Sequence, residues 1–111
     1  MKVAYIFESP RSFDILAMMI VPQLEDNRHG ANVVGMFFMF DNTLLIEKNN
    51  PLGQRINALA EKTGMMVMGC DQCCYQRNIA DSLVSKAGIG CFPDLYSALG
   101  SVGGVDQAIT L

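Results

Sequence analysis

The chain lacks an apolar run long enough to cross a bilayer. Its longest, Ile15 to Val21 and Val33 to Phe40, fall well short of the roughly 20 residues that a membrane helix needs, so no membrane span is expected. A cationic cluster is also missing. The eight basic residues (Lys2, Arg11, Arg28, Lys48, Arg55, Lys62, Arg77 and Lys86) are scattered and the net charge is -3, which leaves nothing to gather nucleic-acid phosphates. No nucleic-acid partner is expected. Between Lys2 and Glu8 stand only five apolar residues, too few for the core of a secretory signal, so the expected location is the cytoplasm. Repeats, low-complexity tracts and linkers are absent. The first apolar run ends in Glu8-Ser9-Pro10-Arg11 without a phosphate cradle rich in glycine, serine or threonine. The Gly100 to Gly104 stretch follows a helical pattern and precedes a strand-like one, the reverse of a phosphate-binding loop, and reads as a turn. Flavin and nucleotide binding are disfavoured, and no cofactor is expected.

What remains is a chain of 111 residues, enough for one domain over 1–111 that buries about two thirds of its unfolded surface. Half of its residues are apolar and its mean hydropathy is positive. That exceeds the needs of a small monomer, and a covered subunit face would use the surplus; the chain is expected to be an oligomer.

Apolar runs alternate with helical patterns. Lys2 to Phe7 reads as a strand, and Ser9-Pro10 as a helix start with serine capping and proline at the first helical position. Phe13 to Arg28 places Phe13, Leu16, Ala17, Ile20 and Leu24 on one helical face, with Ile15, Met18 and Met19 widening the stripe toward a possible second subunit. Pro22 predicts a kink or an early break, since it removes a helix hydrogen bond. His29, the only histidine, is expected at that helix's end, favoured by the helix dipole. Asn32 to Phe40 reads as a central strand closed by Asp41-Asn42, and Pro51 opens a helix that Gly64 stops, with a short helix or loop from Thr43 to Asn50. A strand then runs into the cysteines. Beyond them come a helical or irregular stretch from Tyr75 to Lys86, a strand from Gly88 to Phe92, a helix from Pro93 to Leu99 and a strand from Val105 to Leu111. This alternation predicts an α/β fold, a parallel sheet with helices on both faces. Such a sheet would bring Glu8 to Arg11, Asp41-Asn42 and Cys70 to Arg77 to its carboxyl edge.

The most informative segment is Gly64 to Cys74, Gly-Met-Met-Val-Met-Gly-Cys-Asp-Gln-Cys-Cys, where an apolar strand delivers three thiols to the point at which it stops. Thiols in the cytoplasm stay mostly reduced, so disulfide staples are a poor reading of Cys70, Cys73, Cys74 and Cys91. Sulfur transfer, dithiol redox chemistry and metal binding are the candidates. Cys70 should be accessible at the sheet rim. A helix from Gln72 to Arg77 would favour its thiolate through unpaired N–H groups, with Arg77 adding a cation beside Cys73 and Cys74, while Asp71 opposes ionisation. Cys73 completes a Cys-x-x-Cys spacing that serves redox and zinc sites as well. Cys91, in a short glycine-flanked strand, reads as a buried core residue, and most of the eight methionines as core filling.

From end to end the chain resembles the DsrE/DsrF-like sulfur-relay family, which takes in DsrE, TusD and YchN. In that family the first strand ends in a Gly-Pro-like turn, the second reads Phe-Phe then Asp-Gly, and the third ends in a cysteine followed seven residues later by Arg-Gly-Ile. Here the counterparts are Ser9-Pro10, Phe37-Phe38 with Asp41-Asn42, and Cys70 with Arg77-Asn78-Ile79; Gly90 to Leu99 and Val105 to Leu111 resemble the closing helix and strand. Asparagine replaces glycine after Asp41 and after Arg77, and it tolerates the left-handed backbone that such turns require. The resemblance implies a three-layer α/β/α fold with five parallel strands, flavodoxin-like in appearance, and a cytoplasmic homotrimer or hexamer. It implies sulfane sulfur accepted as a persulfide on Cys70 from a donor protein and passed to an acceptor protein, with neither metal nor cofactor. Cys70 and Cys73 fall on the Cys-x-x-Cys form of some members. Cys74 has no counterpart, so either Cys73 or Cys74 could resolve the persulfide. A dithiol redox protein using Cys70 and Cys73, a cysteine-rich metal-binding module and an oligomeric scaffold are the alternatives.

Overall fold

A computed structural model describes residues 1–111. Five parallel strands, β1 (Lys2–Phe7), β2 (Asn32–Phe38), β3 (Met66–Cys70), β4 (Ala87–Gly90) and β5 (Gln107–Thr110), form one sheet in the order β4-β3-β2-β1-β5. The order fixes the layers. Connections from β1 through β4 advance in one direction, and with right-handed crossovers their helices must share one face, whereas the return from β4 to β5 must carry its helix on the other. The first face accordingly carries α1 (Ser12–Ile15), α2 (Val21–Glu25), α3 (Pro51–Thr63) and α4 (Asp71–Gln76), and α5 (Phe92–Ser101) packs over β2, β3 and β4 on the opposite face.

The main core fills the first face. Val3, Tyr5 and Phe7 of β1, Met36 and Phe38 of β2 and Val67 of β3 meet Leu16, Ile20, Val21, Ile56 and Leu59 from the helices. Phe7 and Phe38 stack with ring centroids 5.0 Å apart. Complete burial of such side chains stabilises the fold by about 1.5–3 kcal/mol each. β2 is buried from Val33 to Phe38 because helices cover both of its faces, which explains its near-continuous apolar sequence. β3 alternates: Val67 and Gly69 face the main core, while Met66, Met68 and Cys70 point toward the α5 layer and stay partly exposed.

Several local expectations are corrected. Ser9-Pro10 forms a turn and the helix begins at Ser12, because Ser9 Oγ accepts the Arg11 N–H and the Ser9 carbonyl accepts the Ser12 N–H. Pro22 does not end the helix, which continues through Glu25. Residues Leu16–Ile20 widen into a π-helical stretch closed by the Val21 N–H on the Leu16 carbonyl, and the wider turn accommodates the missing proline donor. Phe13 faces solvent, as do Met18 and Met19, and does not join the buried face of Leu16, Ile20 and Val21. α3 starts with Asn50 capping the Leu52 N–H and stops at Gly64 in the left-handed conformation (φ 77°), as its sequence predicts. No helix is long and apolar enough to cross a membrane.

Candidate functional site

In an open parallel sheet, a crevice forms at the carboxyl ends of neighbouring strands whose connections leave toward opposite faces. Here those strands are β3 and β4. β3 ends in Cys70 and turns into α4 on the first face; β4 ends in Gly90, paired in register with Cys70, and continues through Cys91 into α5 on the other. Cys70 therefore occupies the switch point of the sheet. It is partly exposed, and it is the residue at the N-cap of α4.

The other two thiols of the segment go inward. Cys73 is buried, and its Sγ accepts the backbone N–H of Phe40 at 3.1 Å. Cys74 is fully buried against Gly69, Thr43 and Ile46, in the main core. Cys73, three residues after Cys70 in the first turn of α4, helps to raise the Cys70 pKa. Cys91 is exposed, which corrects its expected place in the core. β4 ends two residues earlier than expected, and Cys91 becomes the N-cap of α5, accepting the Asp94 N–H while Asp94 Oδ2 accepts the Cys91 N–H at 2.8 Å.

The electrostatics oppose ionisation of Cys70. Burial pushes its pKa up, the neighbouring Cys73 thiol and Asp71 add to the rise, and the Cys73 amide pulls it down by less. The expected low-pKa thiol is thus corrected. α4 has only six residues and its opening makes no side-chain cap hydrogen bond to Cys70. Burial likewise raises Cys74 to about 11, against a smaller downward pull from Arg77.

Arg77 is committed elsewhere. Its Nε and one terminal nitrogen donate to a single oxygen of Asp41 at 2.9 and 2.8 Å, and the other terminal nitrogen donates to the Cys73 carbonyl at 3.1 Å. Asn78 beyond it is left-handed (φ 56°), and the Ile79 N–H closes the helix on the Cys74 carbonyl, so asparagine does replace glycine at this turn. Asn42 does not. It is buried, with Nδ2 donating to the Ser9 carbonyl and Ser12 Oγ, and the left-handed residue at the end of β2 is instead Phe40 (φ 55°). The expected gathering of Ser9, Asp41-Asn42 and Cys70 to Arg77 at one edge is present. Phe40 and Cys91 join it; Asp41 was legible only as half of a turn motif, and no sequence signal marks a left-handed phenylalanine.

No three His, Cys, Asp or Glu side chains are arranged to hold a metal ion. At the other end of the sheet lies a cavity of about 430 Å³, lined in part by Leu24, His29, Val33, Leu59 and Met65. His29 belongs there and not at a helix end: its Nε2 pairs with the Tyr5 hydroxyl at 2.8 Å and its Nδ1 with Gln23 Oε1 at 2.9 Å. Burial lowers its pKa, so the ring is held neutral.

Comparison with solved structures bears on this arrangement. The YchN protein from E. coli superposes with a TM-score of 0.68 at 17% identity, over 99% of this chain and 97% of its own. The fold is that of YchN. A protein of unknown function from Methanobacterium thermoautotrophicum, MTH1491, matches at a TM-score of 0.66 and 12% identity, with 99% and 97% covered. BT1422 of Bacteroides thetaiotaomicron, a conserved protein of unknown function, matches at 0.64 and 12%, with 99% and 94% covered. Neither a protein-family model nor a curated protein sequence matches the chain. At these identities the likeness to YchN establishes the common architecture, including the five-stranded parallel sheet.

Proposed function

We propose that this chain is a sulfur-relay protein, a sulfurtransferase-like carrier that accepts sulfane sulfur on Cys70 and yields it to an acceptor protein. The observation that carries this reading is the placement of Cys70, a partly open thiol at the switch point of the sheet with a second, sheltered thiol beside it. In loading, the Cys70 thiolate attacks the outer sulfur of a donor persulfide, the donor S–S bond breaks, and the donor leaves as a thiolate. Transfer repeats the step, with an acceptor thiolate attacking the outer sulfur of the Cys70 persulfide and Cys70 leaving. Neither step needs a cofactor.

Cys73 is the resolving thiol in this reading, since Cys74 lies fully buried in the main core. Attack of the Cys73 thiolate on the inner sulfur of a Cys70 persulfide would form the Cys70–Cys73 disulfide and expel hydrosulfide. The raised pKa of Cys70 keeps the resting thiol protonated at neutral pH. A base or cation from the donor protein, or from an adjoining subunit, would then switch on loading when the partners dock. Assembly into a homotrimer or hexamer in the cytoplasm fits the exposed Phe13, Met18 and Met19. A dithiol redox protein is the second reading, favoured by the Cys-x-x-Cys spacing that places Cys70 at the N-cap and Cys73 in the first turn of α4. Exposure to a small-molecule persulfide separates the two: a relay protein gains sulfur on Cys70 and a Cys70→Ser variant gains none, whereas a dithiol redox protein only oxidises.

A further inference from the structure

We infer that Phe40 and Asp41, at the end of β2, form the positioning element of the thiol pair, fixing Cys73 from two sides so that it can engage Cys70. The inference rests on Cys73 acting with Cys70, and not on sulfur being the cargo.

Phe40 is the unusual residue. A bulky aromatic in the left-handed region stores backbone strain, which persists only where the surroundings over-determine it. Here they do. Thr43 Oγ1 donates to the Phe40 carbonyl at 2.7 Å, Asn42 is anchored to Ser9 and Ser12, and Asp41 is held by Arg77. The ring contributes little to this hold, because it is 50% exposed. What the strained conformation accomplishes is to aim the Phe40 N–H at Cys73 Sγ.

Asp41 supplies the second hold through Arg77. Although Asp41 itself is largely exposed, it takes two donors of the guanidinium on one oxygen, which leaves the third donor directed at the Cys73 carbonyl. The sulfur and the carbonyl of Cys73 are thus both fixed by the end of a neighbouring strand. Asp41 is a positioning residue, acting on the thiols only through Arg77.

The test is the equilibrium of the chain with oxidised glutathione, in which Cys70 and Cys73 lose two protons and two electrons to form their disulfide and two molecules of reduced glutathione appear. It is read in a Cys91→Ser background together with the alkylation rate of Cys73. Asp41→Asn should lower the equilibrium constant about fivefold and speed Cys73 alkylation by a similar factor, with the thermal midpoint nearly unchanged because the residue is exposed. Asp41→Glu should restore both. If Asp41→Asn does not fold, Arg77→Lys, which keeps the charge and loses the fork, should move both readouts in the same direction. Values equal to those of the parent in a folded variant, or a parent in which Cys73 never pairs with Cys70, would overturn the inference. Failure of sulfur loading alone would leave it standing.

Discussion

Gly69 and Cys74 touch where the third strand meets the first face: a Cβ placed on Gly69 would come within 3.1 Å of Cys74 Sγ and 3.3 Å of Ile46 Cδ1. The residue just before Cys70 therefore has to be small. Gly69→Ala should destabilise the chain by about 1–2 kcal/mol, because Cys74 is fully buried and has little room to give. Chemical denaturation checks this. An unchanged midpoint would mean that the helix after Cys70 shifts at no cost.

The raised thiol pKa values give stability a defined dependence on alkaline pH. In the unfolded chain Cys74 ionises near its ordinary 9.0, while in the folded chain it stays protonated up to about 11. Between those values the unfolded state binds fewer protons, so the stabilisation is complete below pH 9 and is lost as pH rises toward 11. Cys70 contributes in the same direction. Cys74→Ala should flatten the decline of the thermal midpoint across that window, a result read from melts at several pH values. An equally steep decline in the variant would remove Cys74 as its source.

The strands were legible because unbroken or alternating apolar runs state how many of their faces are covered, and the stop at Gly64 because glycine reaches the left-handed region without strain. The place of Cys70 at the end of a strand was legible from the apolar run that stops there. Other features were hidden because they depend on partners distant in sequence. His29 is satisfied by Tyr5, 24 residues away, and Phe40 is held by a cysteine 33 residues further on. The π-helical turn before Pro22 follows from backbone accommodation that helical periodicity does not encode. The ionisation of Cys70 was misjudged for a related reason: a helix start was visible in the sequence, but the burial that outweighs it was not.

Assembly should depend on the stripe that the π-helical turn leaves outward. Met18 and Met19 are 70% and 51% exposed, so Met18→Glu with Met19→Glu should not weaken the isolated fold. Sedimentation of the double variant should give a smaller species than the parent chain. Identical sedimentation would remove this stripe as a subunit contact.

Resolution by Cys73 makes a separate prediction. After loading, the parent chain should release hydrosulfide while the Cys70–Cys73 disulfide accumulates, and Cys73→Ser should hold its persulfide at least about tenfold longer, as expected when an internal attack is removed. Cys74→Ser should release at the parent rate. Release that depends on Cys74 instead would exchange the roles of these two residues.

The most direct measurement is site-resolved mass spectrometry of the chain after brief exposure to a persulfide donor and alkylation of the remaining thiols. The account predicts a gain of about 32 Da, one sulfur atom, located on Cys70 and absent from Cys70→Ser. Equal loading of that variant, or added sulfur found on Cys91 while Cys70 stays unmodified, would contradict it.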